Sequence, residues 1–560
     1  MGMKEKFFRR LSVGVAAAVM LGAWGGILEA APSLSRPGEE IEKEQPGADA
    51  SVKTDLPAIP SEQTETRFTV SNVRLDAQEL KLNKEALAAI LAESVGVETT
   101  LSAFNQTVDK VTAYCRAHGY PASAAYVPAQ ESSDGTVTIK VIPGRYSEVK
   151  IENNSRLKED VIRGFLKGLK PGDIIRTSKL ETALYSISDL SGTKAIGVLS
   201  PGKDFGTSDL TVRVEDGKSS NTVLYAENYG SKSSGPYRFG VQESLYNVGG
   251  TGARINVGAL ISNDNLHNYY ANYEALVGHG GTKLGIGFSR MDYKLGGLFA
   301  NTGANGTAHT VSLFGSRPIY HLDDRKLEWR FGYDYRILKD DLDAYRTPTF
   351  NMDSKKHSHS VHVGLDGYNR VPGAVVDYDV TLTTGTLGAD SDWAQRQASA
   401  SETDGAYTKV EASVTGVQAL GHQTDVMLKL SGQTAFNNLD SSEEMYLGGA
   451  NAVRAYPQGE ASGDQGILGT LELRYHTNLP GLTLSTYFDA GMTRAMQHAT
   501  TGMPFNSTST LKGWGIGVSY SKPNDWFARF DYARRIGGYD GMSQDAQSKD
   551  RMWFIVGKIW

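Results

Sequence analysis

Two histidines in the stretch HSHSVH, residues 357–362, have a spacing that could support metal chemistry. Side chains two residues apart lie on one face of a strand, so His357 and His359 could share a metal ion. Because no acidic or cysteine partner completes the pattern, we interpret the stretch as a solvated junction between a loop and a strand. We therefore expect neither a metal ion nor a cofactor.

A single cation in a glycine-rich segment is the second candidate. Residues 448–466 read GGANAVRAYPQGEASGDQG, and Arg454 is the only basic residue among them. Most glycine-rich polar stretches are surface loops in which an arginine has no specific role. A specific role would need a carboxylate partner, which an arginine can hold through two parallel hydrogen bonds.

The run LTLSTYFDAG supplies such a carboxylate. Its leucines and Phe488 alternate with polar residues, which predicts a strand with Asp489 on the face opposite the apolar side chains. In ILGTLELRY the same alternation puts Glu472 and Arg474 on the polar face. If the glycine-rich segment folds back onto that face, Arg454 can pair with Asp489. The alternative is an exposed arginine and an aspartate bound to water.

Composition and motifs exclude several classes of function. The formal net charge of -6 argues against nucleic acid as a partner. We find no Gly-x-Ser-x-Gly motif and no phosphate-binding loop, so we expect neither an enzyme nor a nucleotide-binding protein. The single cysteine, Cys115, cannot form an internal disulfide, and its helical surroundings predict a buried structural thiol.

Residues 1–30 predict a secretory signal peptide. A basic start precedes LSVGVAAAVMLGAWGGIL, an uncharged and mostly apolar run, and Ala30 and Ala31 offer a cleavage site. A transmembrane anchor is the alternative, which the many Ala and Gly residues disfavour. No later segment reaches the roughly 18 apolar residues of a membrane helix. The mature chain therefore either leaves the membrane alone or crosses it as a β-barrel.

The next two segments differ in composition. Residues 31–66 are rich in Pro, Glu and Ser, and we interpret them as a flexible acidic linker because they contain too few apolar residues for a core. From residue 67 onward, the order strand, helix, helix, strand, strand occurs twice, in modules of about 75 residues. We assign the first α+β module to residues 67–143 and the second to residues 144–217.

Residues 218–560 show short alternating runs separated by turn residues, without a convincing long helix. KGWGIGVSY, WFARFDYA and KLEWRFGYDYR each carry large apolar side chains on one face and glycine or charged residues on the other. A soluble sandwich also alternates, but it hides its apolar face in a core. Together with a signal peptide and the aromatic C-terminal run MWFIVGKIW, the pattern favours an outer-membrane barrel with charges toward the lumen. The length predicts roughly 16 strands, and 14 or 18 are also compatible.

Two α+β modules, a barrel and the motifs VRAY and YFDAG together resemble the TpsB transporters of two-partner secretion, the ShlB/FhaC/HecB haemolysin secretion/activation family. Val453, Arg454 and Tyr456 match the family's VRGY loop motif, while Ala455 replaces the usual glycine. The resemblance covers nearly the whole mature chain.

The motif YFDAG carries the second half of this resemblance. Phe488, Asp489 and Gly491 match the family motif on the barrel strand that faces the loop. The resemblance implies that Arg454 and Asp489 pair inside the lumen, with the loop near residues 448–466 folded inward.

The two modules are similar to periplasmic POTRA domains through the stretches HGYPASAAYVPAQ and VLSPGKDFGTSDLTV. The implied fold is two α+β POTRA domains followed by an all-β, 16-stranded transmembrane β-barrel. Family members often carry an N-terminal plug helix, for which EEIEKEQ is the candidate here.

The resemblance also implies a function and a partner. A large, β-helical TpsA-like exoprotein would bind the POTRA domains by strand addition to a sheet edge and would thread the barrel in the outer-membrane lipid. No nucleotide would be needed. An outer-membrane protein insertase of the same superfamily and a passive porin are the alternatives.

Overall fold

The computed structural model describes residues 50–56, 67–131, 134–190, 193–345, 351–500, 507–538 and 547–560. The predicted signal peptide, the candidate plug helix EEIEKEQ and most of the predicted linker lie outside the described residues.

The first module follows the predicted order, with a short strand added before and after the first helix. Its elements are β2 (Arg67–Thr69), β3 (Asn72–Asp76), α1 (Lys84–Ala92), β4 (Glu98–Thr100), α2 (Leu101–Ala117), β5 (Ala124–Tyr126) and β6 (Thr136–Ile142). Asn83 caps α1 by accepting hydrogen bonds from two backbone amides, which satisfies donors that a helix start leaves free. Cys115 lies on the buried face of α2 with Phe104 and Val111, and burial raises the pKa of its thiol to about 11.

The second module repeats the order with longer strands. Its elements are β7 (Arg145–Asn154), α3 (Glu159–Leu166), α4 (Thr177–Ser188), β8 (Lys194–Pro201) and β9 (Thr207–Glu215). Its sheet has the strand order β1-β8-β9-β7, in which β1 is Ala50–Thr54. The interpretation of residues 31–66 as linker throughout is therefore wrong at residues 50–54. The composition of that segment has too few apolar residues for a core of its own, but a strand can be stabilised by the edge of a sheet that is built elsewhere.

Sixteen antiparallel strands form a closed barrel, which confirms the predicted fold class and strand number. The first eight are β10 (Ser220–Glu227), β11 (Arg238–Val248), β12 (Ala253–Ser262), β13 (Leu266–Leu276), β14 (Lys283–Lys294), β15 (Ala304–His321), β16 (Arg325–Leu342) and β17 (Ser354–Val371). The others are β18 (Ala374–Ala389), β19 (Gly405–Ala419), β20 (Thr424–Ala435), β23 (Gln465–His476), β24 (Leu482–Arg494), β25 (Thr508–Ser521), β26 (Trp526–Arg535) and β27 (Asp550–Ile559). The barrel closes where β10 pairs with β27, from Val223 opposite Ile559 to Glu227 opposite Ile555.

The outer and inner faces of the barrel follow the predicted alternation. On β25, Trp514, Ile516 and Val518 are exposed on the outer face, whereas the intervening glycines are buried. On β26, Phe530 points outward while Asp531 is 2% exposed on the inner face. Large apolar side chains toward lipid and charged side chains toward the lumen are typical of an outer-membrane barrel.

One local expectation for the barrel region was wrong. HSHSVH lies within β17 rather than at a junction, and His357 and His359 face outward from it. A short helix, α5 (Asp392–Ser401), lies in the connection between β18 and β19, and Ser391 caps it. Among the described connections, two contain a 3₁₀ turn, at Gly297–Thr302 and Asp343–Tyr345.

No helix in the described part of the chain has the length and apolar character needed to cross a membrane.

The second module contacts the barrel through α4. The Tyr185 hydroxyl donates a hydrogen bond to Asp323, in the turn between β15 and β16, at 2.9 Å. The imidazole of His321 lies 2.8 Å from the Asp189 carboxylate and stacks on the Tyr185 ring. Residues near the C-terminal end of α4 therefore contact the turn between β15 and β16. This turn lies on the side of the barrel at which β10 begins.

Candidate functional site

The connection between β20 and β23 folds into the barrel. It contains two short paired strands, β21 (Met445–Tyr446) and β22 (Ser462–Gly463). Its apolar residues form a core with side chains of the barrel wall. The buried members are Leu447, Val453, Ala455, Tyr456, Ala461, Leu468, Tyr487, Leu511 and Ala533. We call residues 436–464 the inward loop.

Arg454, in the inward loop, binds Asp489 on β24 through two parallel hydrogen bonds. Its Nε and Nη2 atoms donate to the two carboxylate oxygens, each at 2.8 Å. The backbone amide of Arg454 also donates to Asp489, at 3.2 Å. The side chains are 6% and 0% exposed, so this pair is shielded from water far more than a surface pair.

Two more carboxylates and a second arginine extend this pair into a network. The third nitrogen of the Arg454 guanidinium lies 3.0 Å from Glu472 on β23 and 3.4 Å from Asp531 on β26. Arg529 on β26 contacts both of these carboxylates, at 3.1 Å and 2.6 Å. The network joins the loop to three strands of the wall, so its charges fix the position of the loop across the barrel.

Two aromatic side chains hold Arg454 from other directions. The guanidinium carbon lies 3.1 Å from the centroid of the Tyr487 ring, so the cation contacts the negative face of the ring. The indole of Trp553 on β27 donates a hydrogen bond to the Arg454 carbonyl oxygen at 2.7 Å. The backbone and side chain of Arg454 are thus both fixed by the wall.

Two wall glycines let the loop approach closely. A methyl group added at Gly491 would lie 2.8 Å from Leu447, and one added at Gly513 would lie 2.5 Å from the Cβ of Ala455. Ala455 does not have a positive φ angle, so this position does not require glycine.

The other candidate residues lie at three different places. Val453 and Tyr456 are buried in the loop core, whereas Phe488 is 43% exposed on the outer face and does not line the lumen. Arg474 faces inward but takes no part in the Arg454 network; it pairs with Asp425 on β20 at 2.6 Å.

A second set of charges holds the first half of the inward loop. Glu443 accepts hydrogen bonds from Arg336 on β16 and Tyr407 on β19, and it lies 3.2 Å from Lys409. Asp440 pairs with Lys356 on β17. The loop therefore presents carboxylates to cations on β16, β17 and β19, and a cation to carboxylates on β23, β24 and β26.

Sequence reasoning missed this second set and part of the first. The alternation of WFARFDYA puts Arg529 and Asp531 on the charged face, so their position in the lumen could be predicted. Glu443 and Asp440 lie in a polar stretch without periodicity, where no local pattern distinguishes a buried carboxylate from a solvated one.

Comparison with known proteins identifies the family. The profile of the family described as haemolysin secretion/activation protein ShlB/FhaC/HecB matches residues 206–520, and the ShlB-type POTRA domain matches residues 68–144. The chain is 24% identical over 505 residues to the heme/hemopexin transporter protein HuxB of Haemophilus influenzae strain 86-028NP, covering 89% of this chain and 88% of HuxB.

Two further comparisons agree with this match. The outer membrane transporter CdiB of Dickeya dadantii is 23% identical over 442 residues, covering 76% of this chain and 75% of CdiB. The structure of CdiB from Escherichia coli superposes with a TM-score of 0.69 at 20% identity and covers 98% of both chains, which shows a shared fold. Since the first profile spans more than half of the sequence, the chain belongs to the ShlB/FhaC/HecB haemolysin secretion/activation family, the TpsB outer-membrane transporters of two-partner secretion.

Proposed function

We propose that this protein recognises a large β-helical exoprotein in the periplasm and exports it through its barrel. In this proposal, residues 67–143 and 144–217 are the two POTRA domains that receive the exoprotein, and residues 218–560 are the pore in the outer-membrane lipid. Strand β10 follows the second module directly, so the barrel end with the β15–β16 turn faces the periplasm.

The observation that carries the proposal is the occupied lumen of a barrel that follows two α+β modules. A 16-stranded barrel encloses a channel wide enough for water and solutes. Here the inward loop packs in that channel and is held by buried charges at Arg454 and Glu443. A passive porin would have no need of two modules and a loop anchored in this way.

We assign Arg454 the role of holding the inward loop in the state that supports export. Its bidentate contact with Asp489 fixes the orientation of the loop, which a single point charge would not do. Val453, Tyr456 and Gly491 support the loop by packing, and Glu472 completes the charge network.

The test compares the culture media of a producing strain, a strain lacking this chain, and the latter strain complemented with wild-type or Arg454→Ala protein. We expect one large protein to depend on the wild-type chain for its appearance in the medium. If no protein in the medium depends on this chain, export is not its function. Because HuxB is named as a heme/hemopexin transporter, the dependent protein should also be assayed for hemopexin binding.

Depletion of the chain distinguishes export from barrel insertion. An insertase would be needed for many outer-membrane proteins, so its depletion would lower the amounts of unrelated barrels. A transporter dedicated to one exoprotein would leave those amounts unchanged.

A further inference from the structure

The lipid-facing surface of the barrel carries a group of basic side chains at one end of β14–β17. This end is opposite the β15–β16 turn, so it faces the cell exterior when that turn faces the periplasm. Side chains two residues apart share a face of a strand, and each member of the group continues the outward-facing series of its strand. We call the group the rim cluster; its members are Arg290 on β14, His309 on β15, Lys339 on β16, and Lys355 and His357 on β17.

An aromatic band on the same strands indicates the depth of the rim cluster in the membrane. Phe288 lies two residues from Arg290, and Tyr335 lies four residues from Lys339, both toward the middle of the barrel. Further toward the middle, the exposed outward side chains are aliphatic, at Ile286, Leu313 and Val361. Aromatic bands in outer-membrane barrels lie at the interface between hydrocarbon and headgroups. The rim cluster lies beyond this band and is therefore at the level of the lipid headgroups.

Three members of the rim cluster are each held by a carboxylate that lies closer to the end of the barrel. The distances are 2.8 Å for Arg290 and Asp292, 2.7 Å for Lys339 and Asp341, and 2.8 Å for His357 and Asp390. The basic side chain is the more exposed partner in every pair, most clearly for Lys339 at 48% against 12% for its aspartate. The carboxylates therefore orient the basic groups, and an approaching ligand meets the basic groups first.

Two lysines of the rim cluster face each other directly. Lys339 and Lys355 are opposite in the register of β16 and β17, and both are exposed. Lys355 forms no ion pair with any residue that the structure describes. Like charges directly opposite on neighbouring strands repel each other. An anion bound between the two ammonium groups would remove this repulsion.

The rim cluster occupies a limited sector of the barrel end. Near the same end, outward positions on β11 and β12 hold Phe239 and Ile261, which are opposite each other and exposed. Outward positions on β19 hold Ala406 and Thr408. The basic sector thus has uncharged outward positions on both sides, an arrangement that suits one discrete headgroup better than a uniformly charged surface.

We propose that the rim cluster binds the phosphate groups of a glycolipid in the outer leaflet of the outer membrane. Basic clusters at a membrane surface attract anionic headgroups. A lysine ammonium has three donors, so Lys339 can bind a phosphate while it keeps its contact with Asp341. The aliphatic side chains below the aromatic band would contact the acyl chains of the same lipid, which a free phosphate does not have. The inference goes beyond the proposed function and shares with it only the orientation of the barrel.

The test measures binding of lipid A, a phosphorylated glycolipid with acyl chains, to the purified full chain in detergent. Wild type is compared with the double variant Lys339→Gln, Lys355→Gln. The matched control is Arg317→Gln with Arg325→Gln, which removes two exposed cations at the opposite end of β15 and β16. A metal chelator is present throughout, so that the aspartates cannot hold phosphate through a divalent cation. Heat-modifiable gel migration shows whether each barrel is folded.

We expect the glutamine variant to bind lipid A about tenfold or more weakly than wild type, because each lysine near an anionic headgroup contributes roughly a factor of five. The control should bind as wild type does. Lys339→Arg with Lys355→Arg keeps both charges and should retain binding. Equal binding of lipid A by wild type and the glutamine variant would overturn the inference.

Two changes of ligand test the same inference on the wild-type chain alone, so they do not depend on the folding of a variant. Lipid A without its phosphates should bind about tenfold or more weakly than intact lipid A. Inorganic phosphate in large molar excess should leave the binding of lipid A unchanged. Equal binding of the two lipids would refute a phosphate site, and displacement of lipid A by inorganic phosphate would refute its assignment to a lipid.

A crosslink in cells gives a second readout. Ile337 lies between His309 and His357 on the outer face and is replaced by a photo-crosslinking amino acid. The same replacement of Val376, an exposed residue near the periplasmic end of β18, is the control. After irradiation, an antibody against lipid A should detect an adduct at position 337 and none at position 376. Any other pattern of adducts would overturn the inference.

Discussion

At the scale of the residue, Arg454 is a buried cation whose partners are all supplied by the barrel wall. Asp489 accepts hydrogen bonds from two of its side-chain nitrogens, and Glu472 and Asp531 lie close to the third nitrogen. Arg454 can satisfy all three because the guanidinium presents its donors in a rigid, planar fork. A lysine would keep the charge but would lose this geometry.

We expect Arg454→Ala to abolish export while the barrel remains inserted. Removing one member of a buried ion pair leaves its partner charged and uncompensated, which costs about 3–5 kcal/mol. The cost falls on the inward loop, because the strand ladders of the wall do not involve this side chain. Export into the medium is the measurement, and heat-modifiable gel migration is the control for a folded barrel. Normal export by Arg454→Ala would contradict the assigned role.

A charge exchange tests the contact itself. Arg454→Asp with Asp489→Arg should recover part of the export that each single change removes, since the opposite charges still face each other. Full recovery is not expected because Glu472 and Asp531 also face the exchanged position.

The close approach of Ala455 to Gly513 gives a second prediction at this scale. Gly513→Ala should displace the loop, because the added methyl group would lie 2.5 Å from the Ala455 Cβ. Ala455→Gly removes that opposing methyl group, so the double variant should regain export relative to Gly513→Ala alone. If the double variant is as defective as Gly513→Ala, the two side chains do not meet in the functional state.

At the scale of the element, the inward loop is held between two sides of the barrel wall, with cations on β16, β17 and β19 and carboxylates on β23, β24 and β26. We expect Glu443→Ala to loosen the first half of the loop, because Arg336 and Lys409 would lose a shared buried carboxylate. Protease cleavage within residues 436–464 on intact cells measures this loosening. Glu411→Ala is a suitable control, since Glu411 contacts the same lysine but is 46% exposed. Equal cleavage in the two variants would argue against a second anchor.

The contact between α4 and the barrel has a predicted pH dependence. Burial opposes the charge on Asp189, but the neighbouring His321 and Lys326 outweigh it and lower the pKa of the carboxyl to about 2. A carboxyl whose folded pKa lies below its unfolded value of about 3.9 stabilises the fold above that value. The contact should therefore persist from pH 7 to pH 5 and weaken as the pH falls from about 4 toward 2.

Amide exchange of α4 measures this effect after correction for the intrinsic pH dependence of exchange. Asp189→Asn should have a weaker contact at pH 7 and should lack the additional loss at low pH. The assignment fails if wild type and Asp189→Asn show the same profile as the pH falls from about 4 toward 2.

At the scale of the whole molecule, the two modules and the barrel have separable roles. The barrel is closed by its own first and last strands, so deleting residues 50–217 should leave an inserted barrel that no longer exports the exoprotein. Heat-modifiable gel migration measures whether the barrel is folded and inserted, and the amount of exoprotein in the medium measures export. Unchanged export after this deletion would favour a passive pore, for which the modules are dispensable.

Much of this architecture could be predicted from the sequence because it depends on local periodicity. A period of two residues assigns each barrel side chain to lipid or lumen, as for Trp514 and Asp531, and helical spacing defines the modules. The inward direction of Asp489 and Glu472 follows from the same alternation. These features need only neighbours along the chain.

The tertiary structure decided which distant residues meet. Trp553 and Asp531 reach Arg454 because strand register and loop depth bring them together across the lumen, and neither quantity is encoded in a local pattern. Strand β1 forms because an uncharged sheet edge is available far along the chain, although its own composition resembles a linker. The sequence by itself determined which face each residue occupies, whereas only the closed barrel and the completed sheet determined the partners, because pairing depends on geometry that accumulates over the whole fold.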